Sequence, residues 1–164
     1  MPRPFEPSDL DALHKINEAC LPAVNSLSAA ELRALIDDSF MTLVAELNGA
    51  PAGFVLCLDE TASYDSRNFL WLQQSYPRFF YVDRIGIAPE ARGRGLGEML
   101  YAALLERLAP QANGTPLTCE VNERPPNPGS LRFHRRLGFA EVGRQDFGDK
   151  AVVYMARAIT DATR

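Results

Sequence analysis

The chain has 164 residues, 46% of them apolar and 23% charged, with a formal net charge of −4. That suits one soluble domain with room for a proper core. The acidic balance argues against a nucleic-acid binder that neutralises phosphates, and is compatible with a cationic substrate such as an amine. Cys20, Cys57 and Cys119 are far apart and form no CxxC pair, as expected of a reducing cytoplasm. Two histidines, His14 and His134, argue against a zinc site. The N-terminus has no apolar signal core, and no run approaches membrane-spanning length. The expected location is cytoplasmic, without a membrane partner.

Ser8 with Asp11 reads as a capping box that opens a first helix through Leu10, Leu13, Ile16 and Asn17, ended by Pro22. Ser28 with Glu31 opens a second helix through about Asp37. Met41 to Leu47 is a strand, Asn48-Gly49 a hairpin turn, and Ala52 to Leu58 an apolar, central return strand. Residues 59–78 show no clear period beyond a short helix around Asn68 to Gln74. A strand over 79–87 leads into a glycine-rich loop and a helix from Leu96 to about Leu108. Thr115 to Val121 is a further strand. A rigid Arg124-Pro125-Pro126-Asn127-Pro128 loop precedes a short helix from Pro128 to Leu137, closed by Gly138. Glu141 to Arg144 and Ala151 to Arg157 form a terminal antiparallel pair. The order is ααββ then βαβαββ, an α/β or α+β sandwich around one mixed sheet.

The most informative stretch is Arg92-Gly93-Arg94-Gly95-Leu96-Gly97, between the strand and the long helix. Alternating glycines let backbone N–H groups crowd around an anion, and the helix aims its positive dipole end at the same place. The segment reads as a pyrophosphate cradle. A dinucleotide fold requires G-x-G-x-x-G, and the third position counted from Gly93 is Glu98. A triphosphatase loop requires G-K-[ST], which is absent. A ligand-free glycine turn stays open on spacing alone.

Arg92-x-x-Gly95-x-Gly97 resembles the acetyl-CoA signature of the GNAT superfamily of N-acetyltransferases, and Ile87-Ala88-Pro89 resembles the strand exit before it. Glu120-Val121-Asn122, Asn127, His134 and Gly138-Phe139 are similar to that family's last motif. The likeness covers residues 3–157. It implies a mixed, mostly antiparallel sheet of six to seven strands flanked by about four helices. It also implies acetyl-CoA as co-substrate, no metal, and direct attack by the amine. The acceptor is then a small amine, an amino acid or a peptide or protein amino group, with a homodimer left open and no nucleic-acid partner. The other class kept open is a silent acyl-CoA-binding module on the same fold.

The resemblance further implies that the backbone of Ile85, Gly86 and Ile87 pairs with the pantetheine arm, and that the loop from Arg92 to Gly97 takes the pyrophosphate. Arg92 and Arg94 add charge there, or form a solvated basic turn. His134 stands where a tyrosine commonly protonates the departing thiolate. If that needs a protonated ring, activity falls as pH rises through its pKa; the alternative is a satisfied core histidine. Glu120 is the preferred base, because the N-terminal-acetylating branch carries glutamate there. Asp83, on a face with Tyr81, Ile85 and Ile87 by strand alternation, is the second choice or binds the acceptor's amino group; an ion pair with Arg78 or Arg132 is its structural alternative. Asn127 either touches the CoA moiety or caps the helix at Pro128. Cys119 reads as a buried hydrophobe. The segment from Tyr64 to Trp71 is an acceptor-side wall, a lid or a dimer surface.

Overall fold

The computed structural model describes residues 1–160. In chain order, β1 (Arg3–Pro4) is followed by α1 (Leu10–Ala19), α2 (Ala29–Asp38), β2 (Met41–Leu47) and β3 (Ala50–Asp59). Then come α3 (Arg67–Ser75), β4 (Phe80–Ile87), α4 (Leu96–Ala112) and β5 (Leu117–Arg124). The chain continues through α5 (Pro128–Arg136), β6 (Ala140–Asp146) and β7 (Ala151–Arg157). The result is a mixed α/β fold with seven strands and five helices among the described residues.

Most signals act locally as read. The Ser28 hydroxyl accepts from the Glu31 N–H at 3.1 Å, and the Glu31 carboxylate accepts from the Ser28 N–H at 3.0 Å. Asn48 (φ 54°) and Gly49 (φ 79°) form the hairpin turn. The first helix differs. Pro7 starts a single 3-10 turn ahead of α1, and the Asp9 carboxylate accepts from the Glu6 N–H at 2.8 Å, so Ser8 is not the cap. Arg3 fixes this corner with two hydrogen bonds of 2.8 Å to Asp9, which hold the Asp9 carboxyl below its ordinary pKa. The strand expected from Thr115 begins at Leu117, because the Thr115 N–H bonds to the Ala112 carbonyl and closes α4.

The sheet order is β1-β2-β3-β4-β5-β7-β6, antiparallel except for the central β4–β5 pair. A side chain at Gly86 would meet Ile16 and Cys20 of the α1 segment, and Phe69 of α3 packs on Tyr81. A side chain at Gly53 would meet Leu100 of α4, and Phe133 of α5 packs on Tyr101 of α4. Thus α1 and α3 cover one face of the sheet, and α4 and α5 the other. The aromatic core is filled by Phe54, Phe69, Phe79, Tyr81, Tyr101 and Tyr154.

Trp71 ties α3 to the β6–β7 pair. Its ring stacks on Tyr154 with centroids 4.1 Å apart and planes within 6°. Gly143 in β6 gives it room, since a Cβ there would lie 2.6 Å from the indole Cη2. Gly143→Ala should therefore destabilise the protein by about 1–3 kcal/mol through overpacking. Gly129→Ala, with nothing within 4 Å of the new Cβ, should not. Urea denaturation of the two variants checks the contrast.

Candidate active site

Past Ile87, a 3-10 turn over Pro89–Ala91 feeds the glycine loop. Gly93 (φ 77°) and Gly95 (φ 76°) are both left-handed, a conformation costly for any residue with a Cβ. Gly95 is the N-cap of the seventeen-residue α4. The loop amides and the helix N-terminus form a concavity whose partial positive charge, with the dipole behind it, suits an anion. A Cβ at Gly97 would come within 3.1 Å of the Phe133 ring, so this glycine lets α5 close over the loop.

A cleft of about 630 Å³ runs along these elements, bounded by the α1–α2 connection, Ile85 and Ile87, the glycine loop and α5. Its size and its phosphate-ready end fit an elongated acyl-CoA thioester. Arg92 lies on the cleft, with its guanidinium reaching the Ile87 carbonyl (3.4 Å) and the Cys20 sulfur (3.8 Å). Arg94 is exposed and does not line it. Arg136 does, against Phe133; the sequence reading passed over it because it lies a helix away from the glycines.

The cleft reaches the sheet where two strands part. β4 and β5 pair only through Phe80–Leu117, Tyr81–Thr118 and Val82–Cys119. The next residue on each strand is acidic: Asp83 and Glu120. Opposite Asp83 the β3–β4 register also slips, with Leu56 facing Arg84 and Cys57 facing Val82, so Asp83 is an unpaired bulge residue. The bulge breaks the alternation on which the expected face of Asp83 rested. Asp83 and Arg84 now point the same way and touch at 2.7 Å, towards α1, whereas Ile87 lies on the α4 face. Asp83 thus pairs with its neighbour, not with Arg78, which sits beside Glu60, nor with Arg132.

The Asp83–Arg84 pair is almost fully buried, with side chains 4% and 2% exposed. Asn17 of α1 accepts from Arg84 at 2.9 Å, and Asn25 accepts at 2.7 Å through its side chain. These contacts compensate the buried charge. Among the described residues Glu120 has no ion pair of its own, and its Oε2 is a buried oxygen without a hydrogen-bond partner. Burial, and then the nearby Asp83 charge, push its pKa up to about 8, against the smaller effects of Tyr81 and Arg84.

His134 is buried and fully engaged. Nδ1 lies 2.8 Å from the Ser130 carbonyl, which can only accept, so Nδ1 carries the proton. Nε2 then accepts from the Tyr101 hydroxyl at 2.7 Å. Burial lowers the pKa below its ordinary value, more than the Ser130 bond raises it. The neutral ring therefore has no free proton towards the cleft at neutral pH. Tyr101 is hidden in the helix pattern because it looks like one more core residue.

Asn127 caps α5, its Oδ1 accepting from the Ser130 N–H at 3.3 Å, and it also lines the cleft. Cys119 is buried, and burial raises its thiol pKa out of the reactive range. Of the segment from Tyr64 to Trp71, Tyr64, Arg67 and Asn68 line a second cleft, while Phe69 belongs to the core and Trp71 to the Tyr154 stack. Among the described residues no group of three or more His, Cys, Asp or Glu could hold a metal ion, and no helix is long and apolar enough to cross a membrane.

At pH 7, long-range ¹⁵N–¹H spectra should show His134 as the neutral Nδ1–H tautomer. An imidazolium would contradict the geometry. Tyr101→Phe, which leaves the buried Nε2 without its donor, should cost about 1–3 kcal/mol in denaturant unfolding.

The model of the acetyltransferase (GNAT) family matches residues 10–139. A mycothiol acetyltransferase from Pseudarthrobacter chlorophenolicus is 31% identical over 147 residues, spanning 84% of this chain and 41% of that protein. The chain spans about half the length of the curated relatives it matches. In fold, it superposes on a ribosomal-protein-alanine N-acetyltransferase from Brucella melitensis with a TM-score of 0.72 at 24% identity, covering 96% and 99% of the two chains. A structure from Arabidopsis thaliana in complex with acetyl-CoA aligns with a TM-score of 0.72 at 16% identity, covering 97% and 98%. The glycine cradle, the parted strands and the match over residues 10–139 together place the chain in the acetyltransferase (GNAT) family.

Proposed function

We propose that this protein transfers the acetyl group of acetyl-CoA directly to a primary amine. The observation that carries the reading is a narrow passage of about 90 Å³ through the parted strands. It shares Ile85, Asn127, Ser130 and His134 with the glycine-loop cleft. It shares Asp83, Arg84, Glu120 and Asn122 with a second cleft of about 430 Å³ on the other side. Donor and acceptor can thus enter from opposite sides and meet without a covalent enzyme intermediate, consistent with the inert Cys119.

In this reading the amides of Gly93 to Gly97 and the α4 N-terminus hold the diphosphate, and the free edge of β4 at Ile85 to Ile87 holds the pantetheine arm. Acetyl-CoA supplies an activated acyl group and a thiol leaving group. The amine nitrogen forms the new bond to the acyl carbon as the carbon–sulfur bond breaks. Glu120 takes the ammonium proton. Its raised pKa, about 8, lies close to that of an ordinary thiol, about 8.5, so the same carboxyl can return that proton to the departing sulfur and then take the second proton that the nitrogen loses as the amide forms, releasing it to solvent. Asp83, held by Arg84, offers the amine a fixed hydrogen-bond acceptor beside Glu120. His134 positions the Tyr101 hydroxyl and shapes the passage instead of ionising. A silent acyl-CoA-binding module gives no reason for a carboxylate with an unpartnered buried oxygen in the passage. The three unpaired cysteines suit the cytoplasm.

Thiol release with an amine panel tests the reading. Glu120→Gln should lower kcat/KM for the amine about 100-fold or more while CoA still binds. A protonated Glu120 cannot accept a proton, so kcat/KM should rise as pH passes about 8, and that step should vanish in the variant. CoA binding without thiol release from any amine would favour the silent module.

A further inference from the structure

The second cleft holds Glu120 and the Asp83–Arg84 pair at its inner end. Its outer end is formed by the start of α3 and by the β6–β7 hairpin, where Arg67, Phe147, Asp149 and Lys150 line the opening. Neither Arg67 nor Lys150 has an acidic partner among the described residues. Asp149 offsets one of the two cations, leaving a net positive rim opposite the carboxylates of Asp83 and Glu120.

This rim is braced. Arg124, at the end of β5, donates to both oxygens of Asp146 at 2.9 and 3.2 Å and also to the Gly148 carbonyl. The Gly148 N–H in turn donates to Asp146 at 2.8 Å. The hairpin is thereby clamped to the strand that carries Glu120. Its Phe147 ring lies 5.0 Å from the Arg67 guanidinium, a cation–π contact that fixes the Arg67 head at the opening. The α3 N-terminus, capped by Ser66, adds its positive dipole end on the same side.

We infer that the acceptor is a small amino carboxylate, bound with its amine towards Glu120 and Asp83 and its carboxylate against Arg67 and Lys150. This rests on the acetyltransferase reading and names its substrate class. A cleft of about 430 Å³ is in the range of small-molecule sites. A proton-accepting carboxyl group at the inner end and net positive charge at the rim match an amino carboxylate and disfavour an amine bearing only positive charge. The rim arginine suits a carboxylate because its fork binds both oxygens.

Matched acceptors test this directly: L-lysine against cadaverine, and L-phenylalanine against phenethylamine, each pair differing by one carboxylate. Thiol release should favour the carboxylate-bearing member about tenfold or more in kcat/KM, the scale of one charge-assisted contact. The combined variant Arg67→Ala, Lys150→Ala should cut that preference about tenfold, mainly by raising KM for the amino acid. Equal or better use of the decarboxylated amines, or a preference unchanged in the variant, would overturn the inference. If no amine releases thiol, the acetyltransferase reading fails, and calorimetric titration of L-lysine against cadaverine still decides the inference. Tighter binding of L-lysine, weakened in the variant, supports it; equal binding overturns it.

Discussion

The site depends on two neighbouring parallel strands that stop pairing after three residues. Hydrogen bonds between β4 and β5 end at Val82–Cys119, and an acidic residue follows on each strand. Buried backbone polar groups require partners, so an opened ladder in the middle of a sheet invites a ligand with its own donors and acceptors. Two carboxylates on a closed ladder would face each other with their solvation stripped away. Asp83 and Glu120 thus mark where the sheet opens.

The surrounding structure treats the two carboxylates differently. The β-bulge turns Asp83 beside Arg84, and Asn17 and Asn25 complete the partners of that guanidinium. Glu120 keeps an unpartnered oxygen and is held near the point of ionisation. A paired carboxylate and one with a raised pKa thus stand at the same gap. On the other face, the glycine loop, α4 and α5 form a rigid frame in which Tyr101 and His134 satisfy one another. Asp83, Glu120, Tyr101 and His134 all sit on strands or helices, which holds their geometry.

What the sequence revealed depended on how local each signal was. Gly93 and Gly95 were legible because a left-handed φ is a requirement of the residue itself. The Ser28–Glu31 box and the Asn48-Gly49 turn involve residues within a few positions of each other. The family motifs located Glu120, Asn127 and His134, and all three line the passage. The face of Asp83 was not legible, because the bulge that sets it is a register slip against β3, a distant partner. Tyr101 was hidden because an aromatic on a core-facing helix becomes special only when α5 brings a histidine ring to its hydroxyl. The segment from Tyr64 to Trp71 stays open between wall, lid and dimer surface in the sequence, because nothing local shows that Gly143, far along the chain, leaves a slot for Trp71. The Ser8 cap failed because Pro7 began a turn earlier and Arg3 had already engaged Asp9.

The most direct test of this account is a structure with a bisubstrate conjugate in which coenzyme A is joined through its acetyl carbon to the amine of lysine. The diphosphate should lie on the amides of Gly93 to Gly97, the sulfur between the parted strands beside Ile85, and the acceptor nitrogen within hydrogen-bond reach of Glu120. An acceptor arm that leaves the gap without approaching Glu120, or a diphosphate bound away from the glycine loop, would contradict it.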